Sequence, residues 1–267
     1  MAQNRDAEFN RLADRFFDDA VFHFDPTQAT AAGFHQYDAL LTSGSRAEID
    51  AQIAALKKFE AEVGNFSPAG LSAEVAADRE LVLSQIRGQL LTLETIRPWE
   101  KNPDTYSSSI TNAIFVIMSR TFAPPADRLK SVIARERLIP RVFQSARENL
   151  KNPPQIYTEV ALEQLPGIAS FFKDDVPKAF QAVTDKALLA DFQKTNQAVI
   201  DSIHAYQAFL KDDLLPRSHG DFRIGAENYR LKLLYDEMVD VPLDRLLQIG
   251  YDNLHQNQAE FMVGITF

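Results

Sequence analysis

The sequence has no cysteine, and that absence removes disulfides, thiolate nucleophiles and cysteine-ligated zinc together, while leaving the redox compartment undecided. Basic charge is also short. Lys and Arg number 28 against 37 Asp and Glu, a net charge of −9, and no basic run is interleaved with aromatics, so a nucleic-acid partner is not expected. Long apolar runs are missing: the longest, Ala113 to Met118, falls well short of the ~18 residues that read as a membrane span. The opening MAQNRDAEFN lacks the apolar centre of a secretory signal. The chain is therefore expected to be cytoplasmic, or exported with its signal removed.

Catalytic signatures are missing too. There is no GxSxG, P-loop or GxGxxG. A helical zinc hydrolase needs two histidines one turn apart with a Glu beside the first, so that both rings meet one ion and the Glu reaches its water. None of the five histidines is followed by Glu, and no two lie four apart.

What is present is helical periodicity. Apolar residues make up 45% of the chain, enough for a sizeable core and too many for disorder. Phe9, Leu12, Ala13, Phe16, Phe17, Ala20 and Phe24 repeat at three and four, which predicts a helix over about 4–24. Asp25-Pro26 should stop or restart it. Ser45 to Glu48 fits a capping box, and Gly64 is a natural stop for the helix that follows. A helix over about 72–97 is apolar on several sides and is expected to be central. Ile110, Ile114 and Ile117 mark a short buried helix. Pro140 is expected to kink the next long one, and Pro166-Gly167 to disturb the one after Asn152-Pro153-Pro154. Leu188 to Leu214 holds one apolar face for seven turns and is the clearest helix of all. Ser218 to Asp221 reads as a turn, with Gly220 supplying positive φ. Phe222-Arg223-Ile224-Gly225 then alternates like an extended segment, before helical spacing resumes at Ala226 and again after Val241-Pro242. No internal repeat or linker is evident. The expectation is an all-α fold: one helical domain over 1–267, a multi-helix array with kinked long helices, leaving room for one minor hairpin near 218–225.

Candidate chemistry is sparse. His35, Tyr37 and Asp38 gather three reactive side-chain types within four residues. They either line a cleft facing substrate or form a hydrogen-bonded turn fastening two helices. Arg223 and Tyr229 flank the elbow, where they are suited to an anion or a peptide carboxylate. His23 falls on the Phe16 and Ala20 side and reads as an interior histidine. Asp201 and His204 read as a surface pair. Asp78-Arg79-Glu80 and Arg135-Glu136-Arg137 read as solvated helix faces.

Several stretches, ATAAGFHQYDALL, IRPWEKNPDTY, FAPPADRLKSVIARERLIP, ARENLKNPP and FLKDDLLPRSHGDFRIGAENYRLKLLYDEM, resemble a bacterial family known as domain of unknown function 885, grouped with zincin-like metallopeptidases. The resemblance covers nearly the whole chain and is to the family's N-terminal half. It implies a helical, cleft-forming region of a zinc-dependent peptidase-like hydrolase. None of the family's catalytic or metal residues has a matching position here. No cofactor is expected in this chain itself, and zinc only in a further C-terminal half. The last residues, Met262 to Phe267, follow a helical pattern that stops abruptly, and truncation is the expectation. A peptide or other small substrate would follow if such a half completes the chain, and apolar surface left exposed would favour oligomers. The alternatives are a stand-alone helical binding or scaffold domain without catalysis, and an enzyme working through His35, Tyr37 and Asp38.

Overall fold

The structure, a computed structural model, describes residues 2–264, and the side chains of residues 4–262. It is 78% helical, with no strand among the described residues, so the all-α expectation holds. Helix α1 (Ala2–Phe16) runs into a π-helical segment, Phe17–Phe22, and is followed by α2 (Pro26–Ala31), a short 3₁₀ turn at His35–Tyr37, α3 (Arg46–Asn65) and α4 (Ala73–Leu90). After a second π segment, Leu91–Ile96, come α5 (Pro98–Lys101), α6 (Asp104–Met118), α7 (Pro125–Glu136), α8 (Ile139–Asn149) and α9 (Gln155–Ser170). The chain continues through α10 (Val176–Ala179), α11 (Lys186–Phe209), α12 (Ala226–Glu237) and α13 (Leu243–Gly264).

Two apolar clusters organise these helices. The first joins α1, α3 and α4, with Phe9, Phe16, Leu56 and Phe59 fully enclosed. Its rings meet edge to face, Phe9 on Phe66 at 5.4 Å and Phe16 on Phe59 at 5.7 Å, the arrangement favoured by the ring quadrupole. Each such side chain removed from water contributes about 1.5–3 kcal/mol. The starts of these helices follow their sequence signals. Ser45 and Glu48 form the capping box, and Ser72 caps α4 by accepting from the Val75 amide. As expected, α4 is central to its part of the fold, in contact with α1, α3 and α12.

The π segment after α1 corrects one expectation. Bonds from i to i+5 put an extra residue in each turn and shift the helical phase. Val21 and Phe22 therefore take the buried positions, and His23, expected inside, is exposed.

The second, larger cluster joins α6, α7, α8, α9 and α11. Ile110, Ile114 and Ile117 pack with Leu129, Val132 and Ile133, and α11 contributes Phe192, Val199, Ile203 and Tyr206 from one face. Asp185 caps α11 by accepting from the amides of Ala187 and Leu188. Pro140 does not kink a single helix. The chain breaks at Arg137-Leu138 and α8 restarts with Pro140 in its first turn, where a missing N–H costs nothing. Pro166 lies inside α9, which runs through it to Ser170.

The hairpin expected near 218–225 does not form, because its backbone is engaged elsewhere. The Gly220 amide donates to Pro153 O at 2.9 Å and the His219 amide to Asn152 Oδ1 at 2.8 Å. Gly220 is also not at positive φ; that position is Gly225, at φ 83°. A glycine is needed at 220 for closeness: a Cβ there would lie 2.3 Å from Asn152 O and 3.0 Å from Pro153 C. Gly220→Ala should cost about 1–3 kcal/mol by overpacking against backbone. A thermal melt should show the midpoint falling by about 5 °C, and an unshifted melt would mean the loop yields freely.

Helix α12 lies on α4, where Ser84 Oγ donates to Tyr235 O at 2.9 Å. Met238, at φ 55°, ends α12 in the left-handed region. Helix α13 then leaves the body. Among the described residues no other element packs extensively on it, and of its described side chains only Leu243 and Leu246 are half-buried. Leu247, Leu254 and Phe261 recur every seven residues and are 59%, 48% and 69% exposed. The abrupt stop expected after Phe261 is only partly within view: α13 continues to Gly264, and Ile265, Thr266 and Phe267 lie outside the described residues. No described helix is long and apolar enough to cross a membrane.

Candidate functional site

The turn after α2 carries the most organised polar cluster that sequence reading had flagged. Gly33, at φ 95°, reverses the chain, and Phe34 N returns to Ala29 O at 2.9 Å. The 3₁₀ turn then brings i and i+3 to one side, so His35 Nδ1 sits 3.1 Å from Asp38 Oδ2. Asp38 is buried at 6% exposure and accepts from Thr30 Oγ1 at 2.7 Å. Thr30 Oγ1 in turn accepts from Arg135 Nη2 at 2.7 Å. The His35 ring stacks on Phe122, with centroids 3.9 Å apart and planes 14° from parallel.

This is a histidine oriented through Nδ1 by a buried carboxylate, which leaves Nε2 as the nitrogen available for proton transfer. The hydrogen bonds themselves are those of a turn fastened to its neighbours. The dyad is built as an acid–base pair would be, yet it also fastens the α2 turn to the Phe122 loop and to α7.

The other flagged side chains are not brought to it. Tyr37 faces a different hollow of about 490 Å³, with Asp18, Asp19 and His23. Its phenol is held above the usual tyrosine range, first by burial and then by the Asp18 and Asp19 carboxylates. Only its carbonyl joins the cluster, accepting from Arg135 Nη2 at 3.3 Å. Arg223 sits at the elbow on the surface, 3.3 Å from Asp221, with its guanidinium over Phe222. Tyr229, on α12, is 48% exposed. No hydrogen bond, ion pair or ring contact joins either residue to the His35 turn among the described residues. Asp201 accepts from Gln197 at 2.9 Å rather than pairing with His204, which is exposed.

Three charged residues read as solvated are inside. Arg79 donates to Phe66 O at 2.7 Å and Gly64 O at 2.9 Å, closing the C-terminal end of α3. Arg135 is fully buried and donates to Ala113 O, Pro26 O and Tyr37 O besides Thr30. Burial pulls its guanidinium down to about 10, against the opposing fields of Asp38 and Asp25. Glu136 is 1% exposed and accepts from Thr195 Oγ1 and from Asn196 Nδ2. Burial pushes its carboxyl up to about 7, partly offset by those two hydrogen bonds. One signal for Glu136 was available, since it continues the Leu129, Val132, Ile133 stripe at helical spacing. Arg135 also falls at helical spacing from the buried Val132 and Ile139, but its acceptors come from distant segments.

Among the described residues, no three His, Cys, Asp or Glu side chains come together in a way that could hold a metal ion. The residues present therefore do not fit a zinc centre, and no metal-dependent step is assigned to them.

Residues 26–264 match a bacterial protein family of unknown function, DUF885. No protein of curated function matches the chain. Among solved structures, one described as "a putative lipoprotein of unknown function from Shewanella oneidensis" is similar, with a TM-score of 0.83 and 26% identity. The similarity covers 94% of this chain but 46% of that one, so the chain spans about half the length of its structural relative.

Proposed function

As this chain belongs to the bacterial DUF885 family, we propose that it is the helical, cleft-forming N-terminal half of a zincin-like, peptidase-like hydrolase, inactive until a further segment supplies the zinc motif. The observation that carries this reading is α13. A 22-residue helix standing off the body with Leu247, Leu254 and Phe261 in one exposed row has not found its packing partner. A structural relative about twice as long accords with that. In this reading the chain is one helical unit, its α12–α13 arm is the face for the second half, and a peptide or other small substrate lies between the two. His35, Arg223 and Tyr229 would then be peripheral or wall residues, with no chemistry of their own.

Mass spectrometry of the native product tests this directly. A species well above 30.1 kDa, carrying two histidines one helical turn apart beyond α13 and losing hydrolysis with a chelator, is expected. A native product of 30.1 kDa would overturn it and leave a stand-alone helical binding domain. That second reading is favoured by one observation, the two closed cores over α1–α11.

The arm also makes a prediction for the chain as it stands. The exposed row should drive self-association, visible as concentration-dependent sedimentation. Leu247→Glu with Leu254→Glu should return the chain to a monomer whose melting point no longer rises with concentration, since neither side chain is buried within the chain itself. Persistent association in the double variant would place the contact elsewhere.

A further inference from the structure

A hollow of about 590 Å³ lies where α12 closes over α4, within the ~300–1,000 Å³ common for small-ligand sites. Two π-helical segments help to wall it, through Val21 from the first and Thr92 and Leu93 from the second. Such segments recur at functional sites, because they widen a helix where a regular turn would close the gap.

Four glutamines from three elements converge here: Gln28 of α2, Gln52 of α3, and Gln85 and Gln89 of α4. Five glutamines elsewhere, Gln144, Gln155, Gln197, Gln248 and Gln256, each donate to an acidic residue four positions on. Gln52, Gln85 and Gln89 are half-buried and make no side-chain hydrogen bond within the protein among the described residues. The Gln89 Oε1 atom is itself buried without a partner. A buried acceptor left without a donor is costly, and Gln89 is the one amide of the lining that the fold leaves in that state among the described residues.

The lining also says what kind of donor. No Lys, Arg or His contributes, which disfavours anions. The two carboxylates present are already engaged: Asp236 with Lys232, and Asp25 as the cap of α2, accepting from the Gln28 amide at 2.9 Å. The lining thus carries two carboxylates, each already held within the chain, and no cation. Primary amides offer donors and acceptors side by side, which matches adjacent hydroxyls. Tyr235, Leu81, Leu93 and Met238 supply an apolar patch for the C–H face of a ring. We infer that this hollow binds a neutral polyhydroxylated ligand, a saccharide unit, held by the glutamine amides of α3 and α4 under the α12 arm. The inference is independent of any second half.

Amide NMR of the ¹⁵N-labelled chain tests it, with maltotriose, cellotriose and chitotriose as probes, and putrescine and trialanine as competitors of other chemistry. The side-chain amide signals of Gln52, Gln85 and Gln89 should shift with at least one sugar at millimolar concentration. Gln85→Leu should weaken that binding about tenfold, the loss of one desolvated polar pair, with the melting point retained. Gln52→Leu, on a different helix, should do the same and guards against a folding defect in the first variant. Silence with all three sugars would overturn the inference. So would shifts of these amides by putrescine or trialanine in place of the sugars, or sugar binding unchanged in both leucine variants.

Discussion

Replacing Arg135 with leucine should lower the melting point by about 10 °C, the largest single effect expected in the chain, from a loss of about 3–5 kcal/mol. The guanidinium is fully enclosed and links α7 to α6 and to the α2 segment. Its Nη1 donates to Ala113 O of α6 at 2.6 Å, and its Nη2 to Pro26 O at 3.1 Å and Thr30 Oγ1 at 2.7 Å. Leucine fills the space without supplying a donor, so these acceptors are left dry. Asp38 loses the nearby positive field and remains buried beside Thr30. Adding Asp38→Asn to the leucine variant should recover part of the loss, since it removes the uncompensated charge. A variant that melts with the parent chain would show that the network contributes nothing net and that an apolar substitute serves as well.

Glu136→Gln should stabilise the chain above neutral pH by about 3 kcal/mol and have little effect near pH 4. The Glu136 carboxyl keeps its proton up to about 7 in the folded state, against an ordinary value of 4.5. Between those two values the folded chain binds more protons than the unfolded one. The stability linked to this group is therefore complete below about 4.5 and is lost as pH rises through about 7. Glutamine keeps the shape and removes the charge. Its oxygen can accept from Asn196 Nδ2, and its amide can donate to Thr195 Oγ1, which also donates to Phe192 O. Chemical denaturation at several pH values isolates the effect as the difference between variant and parent, because all other carboxylates cancel. Parallel pH profiles for the two chains would mean that Glu136 ionises normally in the folded protein.

Much of the architecture was legible because it is local. The Phe9–Phe16 stripe, the Ser45–Glu48 box and the α11 face at Phe192, Val199, Ile203 and Tyr206 each depend on residues within a few turns of one another, and each stands as read. Errors arose where a local rule met a distant partner. His23 was misplaced because a π segment shifts the phase that 3.6-residue counting assumes. The 218–225 hairpin failed because the amides of His219 and Gly220 are engaged by Asn152 and Pro153. At the candidate site, the gathering of His35, Tyr37 and Asp38 within four residues was legible, whereas nothing local directed the Tyr37 ring to a different hollow from the His35–Asp38 pair.

The sequence by itself determined an acidic, cysteine-free, all-helical chain with capped helices and recognisable family stretches, since composition, capping and periodicity act over single turns. Tertiary structure decided what the buried charges bind. Arg135 reads like any helix-surface arginine until Pro26, 109 positions away, and Ala113, 22 away, present their carbonyls to it. It likewise decided that Gln52 of α3 and Gln85 and Gln89 of α4 face one hollow, and that α13 stands unpacked. Burial of a polar group depends on acceptors and donors assembled from separate segments, and spacing along one helix carries no record of them.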